Sequence, residues 1–150
     1  MADNYDKNKK STHRGERTFR INSMPENPVV GLKRFGATCT GKTSATFRID
    51  RPVEDIDVLT VPVYYDKLDP KKFNTETFDI LGVICQIPAR EGALVGHYVY
   101  YQKNSSGKWT MFDDSHITTD MPWEDIRKAV EKNCYFLLYE RRTTTEQLPC

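Results

Sequence analysis

The sequence lacks an excess of either charge, because its 150 residues carry 22 Lys and Arg against 21 Asp and Glu. With a formal net charge of +1, the chain as a whole has no field that would hold nucleic acid or an anionic membrane. It also lacks any apolar run near the roughly 18 residues that span a bilayer, and its polar first residues are not a secretory signal. These absences argue against nucleic acid and membranes as partners, and they predict a soluble protein of the cytoplasm or nucleus.

Close pairs of cysteines are absent as well. Cys39, Cys85, Cys134 and Cys150 lie far apart and form no CxxC motif, whereas a structural zinc site usually takes at least one close pair of ligands. Without a secretory signal, free thiols are expected rather than disulfides. Cys85 and Cys134 fall within apolar runs, which is typical of small core residues. We therefore predict no bound metal and no cofactor.

What the chain does have is a strand-forming composition. Eight Tyr and seven Phe bring the aromatic share to 11%, too much for a disordered chain. Residues 77–87 (TFDILGVICQI) form a long apolar run, which predicts a central strand covered on both faces. Alternating or short apolar segments predict further strands at residues 17–22, 29–35, 44–50, 59–65, 98–102, 108–112 and 135–139.

One segment has a convincing helical pattern. Residues 122–133 place Trp123, Ile126 and Val130 at helical spacing, and Asp120 is placed to cap the first turn. One helix against several strands predicts an α+β fold built on an antiparallel sheet.

The two ends of the chain differ from its middle. Residues 1–16 (MADNYDKNKKSTHRGE) contain no Leu, Ile, Val or Phe and several Lys, which predicts a flexible basic arm, with nuclear localisation or RNA contact as the alternative role. Residues 143–150 are predicted to form a flexible tail. Residues 17–142 remain as one domain, a size that can bury a core.

Residues suited to chemistry gather in one hairpin. Residues 98–102 (YVYYQ) and 108–112 (KWTMF) are joined by a polar segment that ends in glycine, the pattern of a β-hairpin. Residues equidistant from such a turn face each other, so His97 should lie near Asp113 and Asp114. A carboxylate fixes the tautomer of an imidazole and stabilises its protonated form, as a general base requires. A solvated surface pair without a catalytic role fits the same pattern.

The order of the motifs favours the catalytic interpretation. The run GHYVYYQKNSSGKWTMFDDSHI, then the helix and NCYFLLYER, resembles the C-terminal part of the ubiquitin-specific proteases. Upstream, INSMPENPVVGLKRF, TFRIDRPVEDIDV and TFDILGVICQI resemble the preceding strands of that family, in family order. The resemblance covers about residues 18–141. It implies the antiparallel sheet and single main helix of the palm, one half of the papain-like fold of these thiol proteases.

The resemblance also implies roles for particular residues. His97 corresponds to the general base that activates a cysteine nucleophile, and Asp113 corresponds to the residue that orients this base. Asp114 corresponds to an auxiliary polar position near the oxyanion. Gly96 and Tyr98 correspond to residues that line the channel for the C-terminal Gly-Gly of ubiquitin, and a glycine lets another backbone approach closely. The implied partner is ubiquitin or a ubiquitin-like protein.

The family's nucleophile comes from a cysteine box followed by a helix, ahead of everything matched here, and we expect this chain to lack both that box and the zinc-binding fingers. Cys39, in GATC, resembles the box by sight, and the order Cys39, His97, Asp113 is papain-like. However, the residues after Cys39 lead into the strand SATFRID, so no helix dipole would lower the pKa of its thiol. We therefore expect a loop cysteine, with the nucleophile as the alternative.

Two functions fit these expectations. In the first, the domain carries the His and Asp half of a deubiquitinase site, lacks the nucleophile, is inactive alone, and works as a ubiquitin-binding or protein-binding module. The alternative is an active deubiquitinating cysteine protease whose thiol comes from another segment, another chain or Cys39. An apolar surface left open by the missing half invites association, so we expect a second protein or a homodimer to cover it.

Overall fold

The computed structural model describes residues 18–41, 43–66 and 69–143. These residues confirm the predicted α+β class, with a single helix set against a mostly antiparallel sheet. In chain order the elements are β1 (Val29–Gly31), β2 (Phe35–Thr40), β3 (Thr43–Arg48), β4 (Val58–Tyr64), β5 (Phe73–Pro88), β6 (Gly96–Lys103), β7 (Trp109–Asp113), β8 (His116–Met121), α1 (Trp123–Asn133) and β9 (Cys134–Arg141).

Strand β5 organises the main sheet. The strand order is β1-β9-β5-β6-β7-β8, and β4 pairs with the first part of β5. Neighbours on both edges make β5 the central strand, as predicted. The predicted cover on both faces is wrong, because the helix lies on one face only and side chains of the other face, such as Ile84, are half-buried. Strands β2 and β3 pair only with each other and form a separate two-stranded ribbon, called the ribbon below.

The helix covers one face of the main sheet. Ile126 and Val130, four residues apart and therefore on one side of α1, are buried together with Val83, Leu137 and Tyr139 of β5 and β9. The predicted helix is confirmed, but its predicted cap is wrong. The helix begins after Pro122 with no side-chain cap, and the residue expected to cap it belongs to β8. No helix among the described residues has the length and apolarity needed to cross a membrane.

Two strand predictions need correction, and one strand, β8, is present without having been predicted. Residues 18–22 do not form a strand and make only an isolated bridge between Ile21 and Val63. The strand predicted at 29–35 is interrupted, because Arg34 turns inward and donates its Nε to the carbonyl oxygen of Cys134 at 2.8 Å. Strand β8 was not among the predicted strands, because its side chains are almost all exposed and carry no apolar alternation. The predicted arm at residues 1–16 lies outside the described residues, as does nearly all of the predicted tail.

Candidate active site

The predicted hairpin is formed by β6 and β7. Its turn is fixed by Asn104, whose side-chain oxygen accepts hydrogen bonds from the backbone N–H groups of Ser106 and Lys108 at 3.1 and 2.9 Å. Gly107 adopts a φ of +80°, a conformation that glycine reaches without steric cost. Pairing between the strands runs only as far as Tyr100 and Phe112. Beyond that pair the two strands continue without a shared ladder.

His97 and Asp113 meet at the open end of this hairpin. Nε2 of His97 forms a short hydrogen bond with Oδ1 of Asp113, and the two side chains are 47% and 39% exposed. The hydrogen bond to Asp113 raises the pKa of His97 above its ordinary value of 6.5, and the negative charges of Asp113 and Asp114 add to the rise. The arrangement stabilises the imidazolium while leaving the ring accessible to other groups.

Asp114 occupies the turn that follows. Its φ of +52° places it in the left-handed region, which Asp tolerates better than most residues. One ligand atom from each of His97, Asp113 and Asp114 lies within 4.8 Å of the others, so these side chains are spaced to hold a metal ion. Asp113 already contacts Nε2 of His97, and a metal bound through that nitrogen would have to displace the carboxylate.

The two predicted substrate-binding residues differ in their surroundings. A Cβ at Gly96 would lie 2.0 Å from the carbonyl oxygen of Ile87 and 2.8 Å from Nε2 of Gln86. Close packing against β5 therefore already requires a glycine there, whatever else binds nearby. Tyr98 is 53% exposed, with its ring 6.2 Å from that of Tyr135. Its side chain is open to a ligand. The roles of both residues in binding stay predictions.

The described cysteines fall into two groups. Cys85 and Cys134 are buried free thiols, as predicted, and burial raises the pKa of Cys85 to about 12. Burial also raises the pKa of Cys134, against the opposing effect of a hydrogen bond from Arg34. Both environments disfavour the reactive thiolate.

Cys39 is exposed and lies in β2 of the ribbon, opposite Ser44. The expectation of a loop cysteine is therefore wrong, because the residues around Cys39 pair as a strand. Among the described residues, no hydrogen bond joins any cysteine sulfur to His97.

A buried polar cluster next to the strand of His97 was not predicted from the sequence. Arg48, Gln86 and Asn133 are buried and connected by hydrogen bonds of the Arg48 guanidinium. One signal was available, since Gln86 is a lone amide within the apolar run of β5, and a buried amide needs hydrogen-bond partners. No sequence pattern pointed to the other two residues.

Comparison with known proteins gives consistent matches. The profile of the ubiquitin carboxyl-terminal hydrolase family matches residues 3–139. Ubiquitin carboxyl-terminal hydrolase 16 of Arabidopsis thaliana is 29% identical over 136 residues, which cover 91% of this chain and 12% of the relative. Ubiquitin carboxyl-terminal hydrolase 4 of Bos taurus is 31% identical over 140 residues, which cover 92% of this chain and 13% of the relative. The chain thus spans about an eighth of the length of these relatives.

Solved structures support the same fold. The SAGA Ubp8/Sgf11/Sus1/Sgf73 DUB module bound to ubiquitin aldehyde aligns with a TM-score of 0.63 at 23% identity, over 84% of this chain and 26% of the matched chain. The same module with a substituted Ubp8, bound to monoubiquitin, aligns with a TM-score of 0.58 at 21% identity, over 84% of this chain and 25% of the matched chain. At this level of identity the likeness shows a shared fold.

Proposed function

The chain belongs to the ubiquitin carboxyl-terminal hydrolase family, and we propose that it carries the His97 and Asp113 half of a deubiquitinase site whose thiol is supplied from outside the described residues. The observation that carries this proposal is the hydrogen bond between His97 and Asp113, combined with the lack of a described cysteine bonded to that imidazole. The described domain is then inactive by itself and serves to bind ubiquitin or a protein partner.

The chemistry follows from the orientation of the imidazole. Asp113 contacts Nε2, so Nδ1 is the nitrogen that accepts the thiol proton. The thiolate attacks the carbonyl carbon of the last glycine of ubiquitin, and the imidazolium gives its proton to the departing amine as the C–N bond breaks, which leaves a thioester through the new C–S bond. Water then hydrolyses the thioester. The raised pKa of His97 suits this sequence, because the imidazolium must persist beside a thiolate.

Ubiquitin is the proposed ligand on three grounds. The family is that of the ubiquitin carboxyl-terminal hydrolases, and solved structures of the same fold hold ubiquitin aldehyde or monoubiquitin. In this chain, Tyr98 follows His97 and is exposed, which would leave its ring free to contact the tail of ubiquitin.

A second candidate, a binding module without catalysis, is favoured by the sheet face opposite the helix. Side chains alternate across a sheet, so Ile84, which follows Val83 in β5, points away from the core that Val83 joins. Its partners in the neighbouring strands are Tyr100 and Phe136, and Phe136 is 36% exposed. We propose that a second protein or a second copy of the chain covers this aromatic face.

One experiment tests whether the chain has a nucleophile of its own and whether it binds ubiquitin. The purified chain is incubated with a ubiquitin carrying a C-terminal electrophile, and adducts are measured by intact mass. We expect no adduct, together with ubiquitin binding that Tyr98→Ala weakens. An adduct that disappears in Cys39→Ser and persists in Cys150→Ser would identify Cys39 as the nucleophile and overturn the proposal. Absence of both adduct and binding would remove ubiquitin as the ligand.

A further inference from the structure

Within the part of the chain that the structure describes, β6 is paired on one side only at His97. Pairing of β6 with β7 ends at Tyr100. Pairing of β6 with β5 continues past it, through Ile87 opposite His97, to Pro88 opposite Gly96. The position of His97 is therefore set by the last residues of β5.

Among the described strands, the end of β5 has no second neighbour. Pairing between β5 and β9 ends at Cys85 and Cys134, and the residue before Cys134 is Asn133, the last residue of α1. Gln86, the next residue of β5, consequently has β6 on one side and no described strand on the other.

The side chain of Arg48 occupies the position that a second strand neighbour of Gln86 would have. Its side chain is fully buried, and Nη2 donates to the backbone oxygen of Gln86 at 3.0 Å and to Oδ1 of Asn133 at 3.3 Å. Nε donates to Asp50 at 2.5 Å, and the amide of Asn133 donates to the carbonyl oxygen of Ala129 at 2.9 Å. One guanidinium thus joins the ribbon, the end of β5 and the end of α1.

Gln86 connects the hydrogen bonds of Arg48 to the strand that carries His97. Only 2% of Gln86 is exposed, and its Nε2 lies against Gly96, the residue before His97. Nη1 of Arg48 and Oε1 of Gln86 are buried without a hydrogen-bond partner among the described residues. They are a donor and an acceptor on two residues that already contact each other, an arrangement that suits a bridging water.

We propose that Arg48 is a positioning residue for His97: by hydrogen-bonding Gln86 and Asn133 it replaces the missing strand neighbour of β5 and so holds the imidazole against Asp113. The proposal deepens the proposed function, on which it rests only for the role of His97 as a base. It assigns to the ribbon, through Arg48, a part in building the site.

The test follows the titration of the His97 imidazole by NMR in the full chain, where His97→Gln identifies its signal among the three histidines. Loss of a nearby cation alone would raise the pKa of His97, whereas loss of the contact with Asp113 lowers it. We expect Arg48→Met to lower this pKa toward its ordinary value. We also expect it to shrink the effect of Asp113→Asn, as in a double-mutant cycle. Arg48→Lys should keep part of the rise in the pKa of His97 and part of the effect of Asp113→Asn.

Arg34→Met is the matched control, since Arg34 is equally buried and donates to Cys134 but not to β5. It should lower the unfolding temperature and leave the pKa of His97 unchanged. An unchanged or raised pKa in folded Arg48→Met overturns the proposal, as does an equal fall in both variants, which would indicate general loosening. If Arg48→Met does not fold, Arg48→Lys is compared with Arg34→Met instead, and we expect a smaller fall of the His97 pKa that is still absent in Arg34→Met. The readout needs neither ubiquitin nor a thiol, so its failure is distinct from failure of the proposed function.

Discussion

His97 hydrogen-bonds Asp113 across the end of a hairpin whose backbone pairing has already stopped at Tyr100 and Phe112. Their contact is therefore made by the two side chains alone, without a ladder to enforce it. Such a contact responds to anything that shifts either strand, and it is accessible to solvent. Because of both properties, the protonation of the His97 imidazole is a sensitive measure of the geometry of the site.

Replacing Asp113 should change the titration of His97. We expect Asp113→Asn to lower the pKa of His97, because the variant loses both the carboxylate acceptor and its negative charge. An NMR titration measures this directly. Asp114→Asn serves as the control, with a smaller fall, since Asp114 acts on His97 through charge alone. A larger effect for Asp114→Asn would assign the orienting role to the second carboxylate.

The same contact should make stability depend on pH. A pKa raised by folding stabilises the folded state below the unfolded value of 6.5, and this stabilisation is lost as pH rises through the folded value. His97→Gln should therefore lower the urea midpoint more at about pH 6 than at an alkaline pH above the folded pKa, where the imidazole is neutral in both states. The control is the same substitution in an Asp113→Asn background, where the carboxylate that raises the pKa of His97 is gone and the difference between the two pH values should shrink. An equal loss at both pH values would mean that the contact does not depend on charge.

Gly96→Ala should destabilise the chain for a reason unrelated to substrate. Its Cβ would lie 2.0 Å from the backbone oxygen of Ile87, and overpacking of this kind costs about 1–3 kcal/mol, or more against backbone. We expect a loss of at least about 2 kcal/mol in the free energy of unfolding, measured with urea. Gly31→Ala is the matched control, because its Cβ would lie 3.2 Å from the ring of Phe136, which can shift. Equal stability of the two variants would contradict the packing argument.

The described cysteines should react at very different rates. Cys39 is exposed, whereas Cys85 and Cys134 are buried and their pKa values are raised. Iodoacetamide should therefore label Cys39 in the native chain and reach the other two only after denaturation. Peptide mapping by mass spectrometry measures each site, with the guanidinium-denatured chain as the control. Native labelling of Cys85 would show that the end of β5 opens, which would also weaken the proposed role of Arg48.

Elements with a local sequence pattern were predicted correctly, and exposed strands without such a pattern were not. The hairpin, the central strand and the helix were predicted because each has a local pattern: a glycine turn between aromatic runs, a continuous apolar run and helical spacing. The meeting of His97 with Asp113 followed from counting outward from the turn. Strand β8 and the strand around Cys39 were not predicted, since exposed strands have no apolar pattern to reveal them.

By itself the sequence determined the α+β class and the pairing of an imidazole with a carboxylate, because these depend on local periodicity and on residues joined by a short turn. The family followed from the resemblance of its motifs, in order, to those of known proteins. Only the tertiary structure decided that the backbone oxygen of Ile87 leaves no room for a side chain at Gly96. It also decided that Arg48 hydrogen-bonds Gln86 and Asn133, at the point where the pairing of β5 with β9 ends. Those contacts join residues far apart in the chain, and no periodicity in a sequence records which distant segments will share a hydrogen bond.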